Sequence, residues 1–90
     1  METTWYLYIL RCKDGTYYTG ITTDVEKRLE VHRSGKGAKY TRGRNPLELV
    51  YRECCGSHSE ALKREAKIKK LSREAKQLLV NTWESRGVSG

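Results

Sequence analysis

The turn at Asp14-Gly15 limits what this chain can become. Aspartate-glycine between two β-prone runs is a strong hairpin signal, because turns that match strand twist need the positive φ that glycine adopts freely. The run before it, TWYLYILR at 4–11, is aromatic and branched, with apolar residues at both parities. That pattern predicts a strand buried on both faces. Thr16 to Ile21 returns as the second strand and contains Gly20, a residue that weakens strands and usually marks a close approach.

Thr23 or Asp24 can cap a helix over Asp24–Ser34, ending near Gly35. Val25, Leu29 and His32 fall on one face of it, and Arg28 projects from the border of that face one turn before His32. Gly35 to Asn45 (GKGAKYTRGRN) carries Lys36, Lys39, Arg42 and Arg44, no acid, and Tyr40 in its middle, which reads as a mobile cationic loop. Leu47 to Cys55 reads as a third strand, with Leu47, Leu49 and Tyr51 on one face and Val50 on the other.

Ser57 and Glu60 form a capping box for a helix over Ser59–Lys70. Its apolar arc holds Ala61, Leu62, Ile68 and Leu71, and Glu65 falls inside that arc. An acid there is costly unless it is paired or holds a cation. Ser72 caps a last helix, Arg73 to about Glu84, with Ala75, Leu78, Leu79 and Trp83 as its packed stripe. The order ββαβαα predicts one α+β domain over 1–84, a small three-stranded, mostly antiparallel sheet flanked by helices, and a disordered tail over 85–90.

Ninety residues leave room for one core. Lys plus Arg outnumber Asp plus Glu 18 to 11, a formal charge of +7. A small domain this basic points to a polyanion, nucleic acid first. Cys12, Cys54 and Cys55 form no CxxC and no disulfide framework, so they read as reduced thiols in a cytoplasmic protein. No apolar run reaches membrane-spanning length, and no signal-peptide pattern opens the chain.

Tyr6-Leu7-Tyr8 on the first strand and Tyr18-Thr19-Gly20 on the second resemble the paired signature of the GIY-YIG nuclease superfamily. The likeness runs on through Arg28 and His32 on the helix to Glu65, and GKGAKYTRGR at 35–44 is similar to the small stand-alone bacterial subfamily of YhbQ and YazA. Tyr6, Leu7 and Thr19 depart from the signature's glycine and isoleucines without removing a side chain expected to do chemistry. Some branches also carry an asparagine near the C-terminus, a role for which Asn81 is poorly suited.

The resemblance implies a metal-dependent endonuclease that hydrolyses DNA, with RNA left open, and serves repair or recombination. Glu65 would hold one Mg²⁺ or Mn²⁺, and Arg28 would clamp the scissile phosphate. Tyr8 would activate the attacking water, either with its pKa lowered by Arg28 and the metal or as a proton relay. Tyr18 would position that water or bond the phosphate. His32 is base, relay, phosphate contact or a structural hydrogen bonder. Gly20 would admit the Arg28 helix or the phosphate. Lys36, Lys39, Arg42 and Arg44 would grip the backbone while Tyr40 stacks on a base, with Lys63, Lys67 and Lys70 extending the footprint.

With no room for a separate recognition domain, preference for branched, nicked or single-stranded structures is expected over base sequence. The competing reading is a non-catalytic or partner-dependent binding module, with Glu65 simply paired to Arg28 or a lysine. A monomer or weak homodimer, away from membranes, suits either.

Overall fold

A computed structural model describes residues 3–88, with side chains through Glu84. Strand β1 (Trp5–Arg11) lies between β2 (Tyr17–Thr22) and β3 (Glu48–Gly56) and is antiparallel to both. Gly15 takes φ 84° in the turn, and the Asp14 carboxylate accepts from Thr16 N–H and its hydroxyl, fixing the hairpin locally.

The central position of β1 explains its unbroken apolar character. Leu7 and Ile9 point into a core with Val50, Ile68 and Val80. Tyr8 and Leu10 point the other way, onto Cys12, Val25 and Leu47. Helix α1 (Val25–Arg33) therefore covers one face, and α2 (His58–Lys69) and α3 (Arg73–Val88) the other. The Asp24 carboxylate caps α1 through Lys27 N–H, and the Ser57 and Ser72 hydroxyls cap α2 and α3. Each cap is worth about 1 kcal/mol.

Three expectations need correction. Tyr51 does not share a face with Leu47 and Leu49: the β1–β3 register shifts between Ile9 and Leu10, a bulge forms at Val50, and Tyr51 joins Val50 on the α2/α3 side. Leu62 and Leu78 are exposed, at 46% and 67%, and Val80 is the fully buried residue among the described side chains of α3. Helix α3 also continues to Val88, four residues beyond Glu84, so the expected tail begins within it. Ser89 and Gly90 lie outside the described residues. The cysteines are free thiols, Cys12 buried, Cys54 exposed and Cys55 between the two.

Candidate active site

Tyr8 and Gly20 are cross-strand partners on the α1 face of the sheet. A Cβ at Gly20 would stand 2.5 Å from the Tyr8 hydroxyl oxygen. The glycine thus admits the tyrosine ring, where the sequence suggested the Arg28 helix or a phosphate. The Tyr8 hydroxyl meets His32 Nε2 at 2.8 Å, and His32 Nδ1 meets the Thr41 hydroxyl at 2.9 Å. His32 is 0% exposed, which removes direct phosphate contact from its candidate roles. Tyr18 stands half-buried beside the pair, its ring centroid 6.4 Å from Tyr8 and 5.2 Å from His32.

Burial dominates the electrostatics. Desolvation pushes the Tyr8 pKa up to about 12, and the Arg28 guanidinium beside its hydroxyl only partly offsets this. Arg28 therefore does not make Tyr8 a ready base: the hydroxyl keeps its proton. The His32 pKa is held below 6.5, first by burial and then by the Arg28 charge, so the imidazole is neutral at pH 7. Arg28 itself is partly exposed and opens on a shallow cleft with Thr22, Thr23, Lys27 and Val31.

Glu65 belongs to α2 on the far side of the sheet, yet its charge is felt at Tyr8, raising that pKa further. Its side chain is 21% exposed and lies 3.3 Å from Lys69 Nζ. No group of three or more His, Cys, Asp or Glu converges among the described residues. One carboxylate nevertheless suits a hard divalent ion that keeps most of its waters and shares phosphate oxygens.

The loop after α1 is more structured than its glycine content suggests. A 3₁₀ turn at Lys39–Thr41 buries Thr41 completely. A Cβ on buried Gly37 would fall 2.3 Å from His32 Nδ1. Tyr40 stacks on Tyr18 at 5.9 Å, and the Arg44 guanidinium lies 4.3 Å from its ring centroid. Arg44 also pairs with Asp14. Tyr40 and Arg44 are thus engaged within the protein, while Lys36, Lys39 and Arg42 face solvent. Lys63, Lys67 and Lys70 are exposed as expected.

Tyr17 and Tyr6 keep structural surroundings. The Tyr17 hydroxyl donates to Gln77, and Tyr6 lies under the Arg52 guanidinium. His58 packs against Trp5 with ring centroids 4.3 Å apart and planes tilted by 41°. Thr41 and Gly37 are the site residues that sequence reasoning missed: neither hydropathy period nor charge marks them, and only their closeness to His32 reveals them.

The antiparallel β2-β1-β3 sheet flanked by three helices is an α+β domain, and the family model it matches makes its fold nuclease-type. Residues 4–78 match the GIY-YIG catalytic domain, and the chain belongs to the GIY-YIG family. It is 54% identical over 81 residues to UPF0213 protein DP2720 of Desulfotalea psychrophila, covering 89% of this chain and 74% of that one. It is equally identical over 74 residues to UPF0213 protein VNG_2274C of Halobacterium salinarum, covering 82% and 96%. The solution structure of UPF0213 protein BH0048 from Bacillus halodurans matches with a TM-score of 0.57 at 53% identity, covering 88% and 84%. That of EF2693 from E. faecalis matches at 0.62 and 44%, covering 93% and 92%. No helix among the described residues is long and apolar enough to cross a membrane.

Proposed function

We propose that the protein is a metal-dependent endonuclease that hydrolyses DNA phosphodiester bonds and prefers distorted or single-stranded structures, in keeping with repair or recombination in the cytoplasm. The observation that carries this reading is the buried Tyr8–His32 pair, 2.8 Å apart, beside Arg28. A neutral phenol bonded to a neutral imidazole cannot act as an ordinary anionic base, but it can act as a relay. Water loses a proton to the Tyr8 oxygen as the Tyr8 proton passes to His32 Nε2, and the hydroxide attacks phosphorus. Arg28 holds a non-bridging oxygen and steadies the charge that builds on it. Tyr18 orients the water or the phosphate, and the departing oxygen takes a proton from solvent.

Glu65 would hold the Mg²⁺ or Mn²⁺, which supplies Lewis-acid polarisation of the phosphate. Lys69 is a cation already in that place, so metal binding requires its ammonium to swing aside. Lys36, Lys39 and Arg42 grip the nucleic-acid backbone.

The Glu65–Lys69 contact also favours a second reading, a nucleic-acid-binding module in which the acid is only ion-paired. Cleavage of supercoiled, single-stranded and branched DNA with Mg²⁺ or Mn²⁺ separates the two. The enzyme reading expects cutting that drops about a hundredfold or more in Glu65→Gln and Arg28→Ala while Glu65→Gln still binds. Binding without cutting on every substrate sinks it.

A further inference from the structure

Thr41 has one hydroxyl proton, and its oxygen lies 2.9 Å from the Ala38 carbonyl and 2.9 Å from His32 Nδ1. In this geometry the Thr41 hydroxyl donates to the Ala38 carbonyl, which also accepts from Thr41 N–H at 3.0 Å. Toward His32 the same oxygen can then only accept, and Nδ1 must carry the imidazole proton. Because His32 is buried and neutral, Nε2 is left with a lone pair, and that lone pair faces the Tyr8 hydroxyl. Donation from Thr41 to Ala38 orders the chain as Tyr8 O–H to Nε2, Nδ1–H to Thr41 and Thr41 O–H to the carbonyl.

We infer that Thr41 is a positioning residue that selects the Nδ1–H tautomer of His32, so that Nε2 is the proton acceptor for Tyr8. It touches neither substrate nor Tyr8 and acts through His32 alone. The fold makes room for this contact with Gly37, because any side chain there would collide with the ring edge that Thr41 engages. The tautomer is thereby set by a 3₁₀ turn whose other two residues, Lys39 and Tyr40, belong to the cationic loop. The turn thus joins the loop assigned to backbone contact to the base of the relay. The catalytic consequence rests on the nuclease reading; the tautomer does not.

The test is imidazole ¹⁵N NMR on the intact protein, alongside Thr41→Val and Thr41→Ser. In wild type and Thr41→Ser, the His32 Nδ1 resonance should be protonated and pyrrole-like, and Nε2 pyridine-like. Thr41→Val keeps the shape but offers no acceptor, so the Nδ1–H population should fall at least about tenfold relative to Nε2–H, with cleavage, where present, falling in parallel and recovering in Thr41→Ser. A wild-type His32 protonated at Nε2 overturns the inference at once, even if Thr41→Val fails to fold. An unchanged tautomer in folded Thr41→Val overturns it too. Absence of cleavage in all three proteins counts against the nuclease reading and leaves the NMR comparison to decide the tautomer.

Discussion

Gly20 faces Tyr8 across the β1–β2 ladder, and the Tyr8 hydroxyl fills the space that a side chain at position 20 would need. Two effects oppose each other there. Alanine normally improves on glycine in a strand by about 0.5–1 kcal/mol. Forcing a buried, hydrogen-bonded ring to shift costs about 1–3 kcal/mol. Gly20→Ala should therefore be destabilised in a thermal or urea melt, with Tyr8 displaced from His32. A more stable variant would show that the ring moves freely.

Removing the hydroxyl alone tests the relay. Tyr8→Phe keeps the packing but leaves His32 Nε2 buried without a donor, at about 1–3 kcal/mol. Cleavage should fall about 10²–10⁴-fold, with DNA affinity close to wild type in a gel shift. Activity within a few-fold of wild type would remove Tyr8 from the chemistry.

Acid should weaken both fold and activity through His32. Its folded pKa lies below the ordinary 6.5, because burial and Arg28 disfavour the cation. Its contribution to stability is therefore full above about pH 6.5 and is lost as pH falls through the lower, folded value. Urea midpoints measured from pH 8 to 5 should decline more steeply in wild type than in His32→Gln, which does not titrate. Parallel profiles would mean that the imidazole ionises as easily folded as unfolded. Cleavage should fall over the same acid range, since a protonated Nε2 cannot accept from Tyr8.

The cationic residues of the loop should divide into two groups. Lys36, Lys39 and Arg42 face solvent, so replacing all three with alanine should reduce the slope of log affinity against log salt by roughly 2–3 and leave stability within about 0.5 kcal/mol. Arg44→Ala should behave in the opposite way, lowering the melting midpoint because Arg44 holds Asp14 and Tyr40, with a smaller change in salt slope. Equal effects on binding from all four would contradict the division.

The sequence carried the hairpin, the three caps and the ββαβαα order, because each rests on local chemistry within a few residues: Asp14-Gly15 for the turn, Asp24, Ser57 and Ser72 for the helix starts. Tyr8, Arg28 and His32 were legible from motif and helical spacing. What stayed hidden was set by contacts distant in sequence. The direction of the Tyr8 pKa shift depends on burial beneath α1, and no local pattern gives that depth. Thr41 reaches His32 from a loop whose composition suggests only mobility. Leu78 sits on the inward stripe of an ideal wheel, yet α3 turns Val80 to the sheet instead.

The extra residue at Val50 sets the parity of β3 from Tyr51 to Cys54, after which the register shifts a second time. Upstream of it Leu47 and Leu49 look toward α1; downstream Tyr51 and Cys55 look toward α2 and α3. Strands read out in steps of two, so one residue more or less inverts everything that follows. At the bulge itself the rule does not apply: deleting Val50 would join Leu49 to Tyr51 opposite the adjacent Leu10 and Ile9, a straight ladder that keeps Tyr51 and Glu53 on the side of Arg64 and loses only a buried valine. Losing Arg52 or Glu53 would instead turn the residues after the gap to the opposite face, so the length of this edge is held more tightly past the bulge than at it.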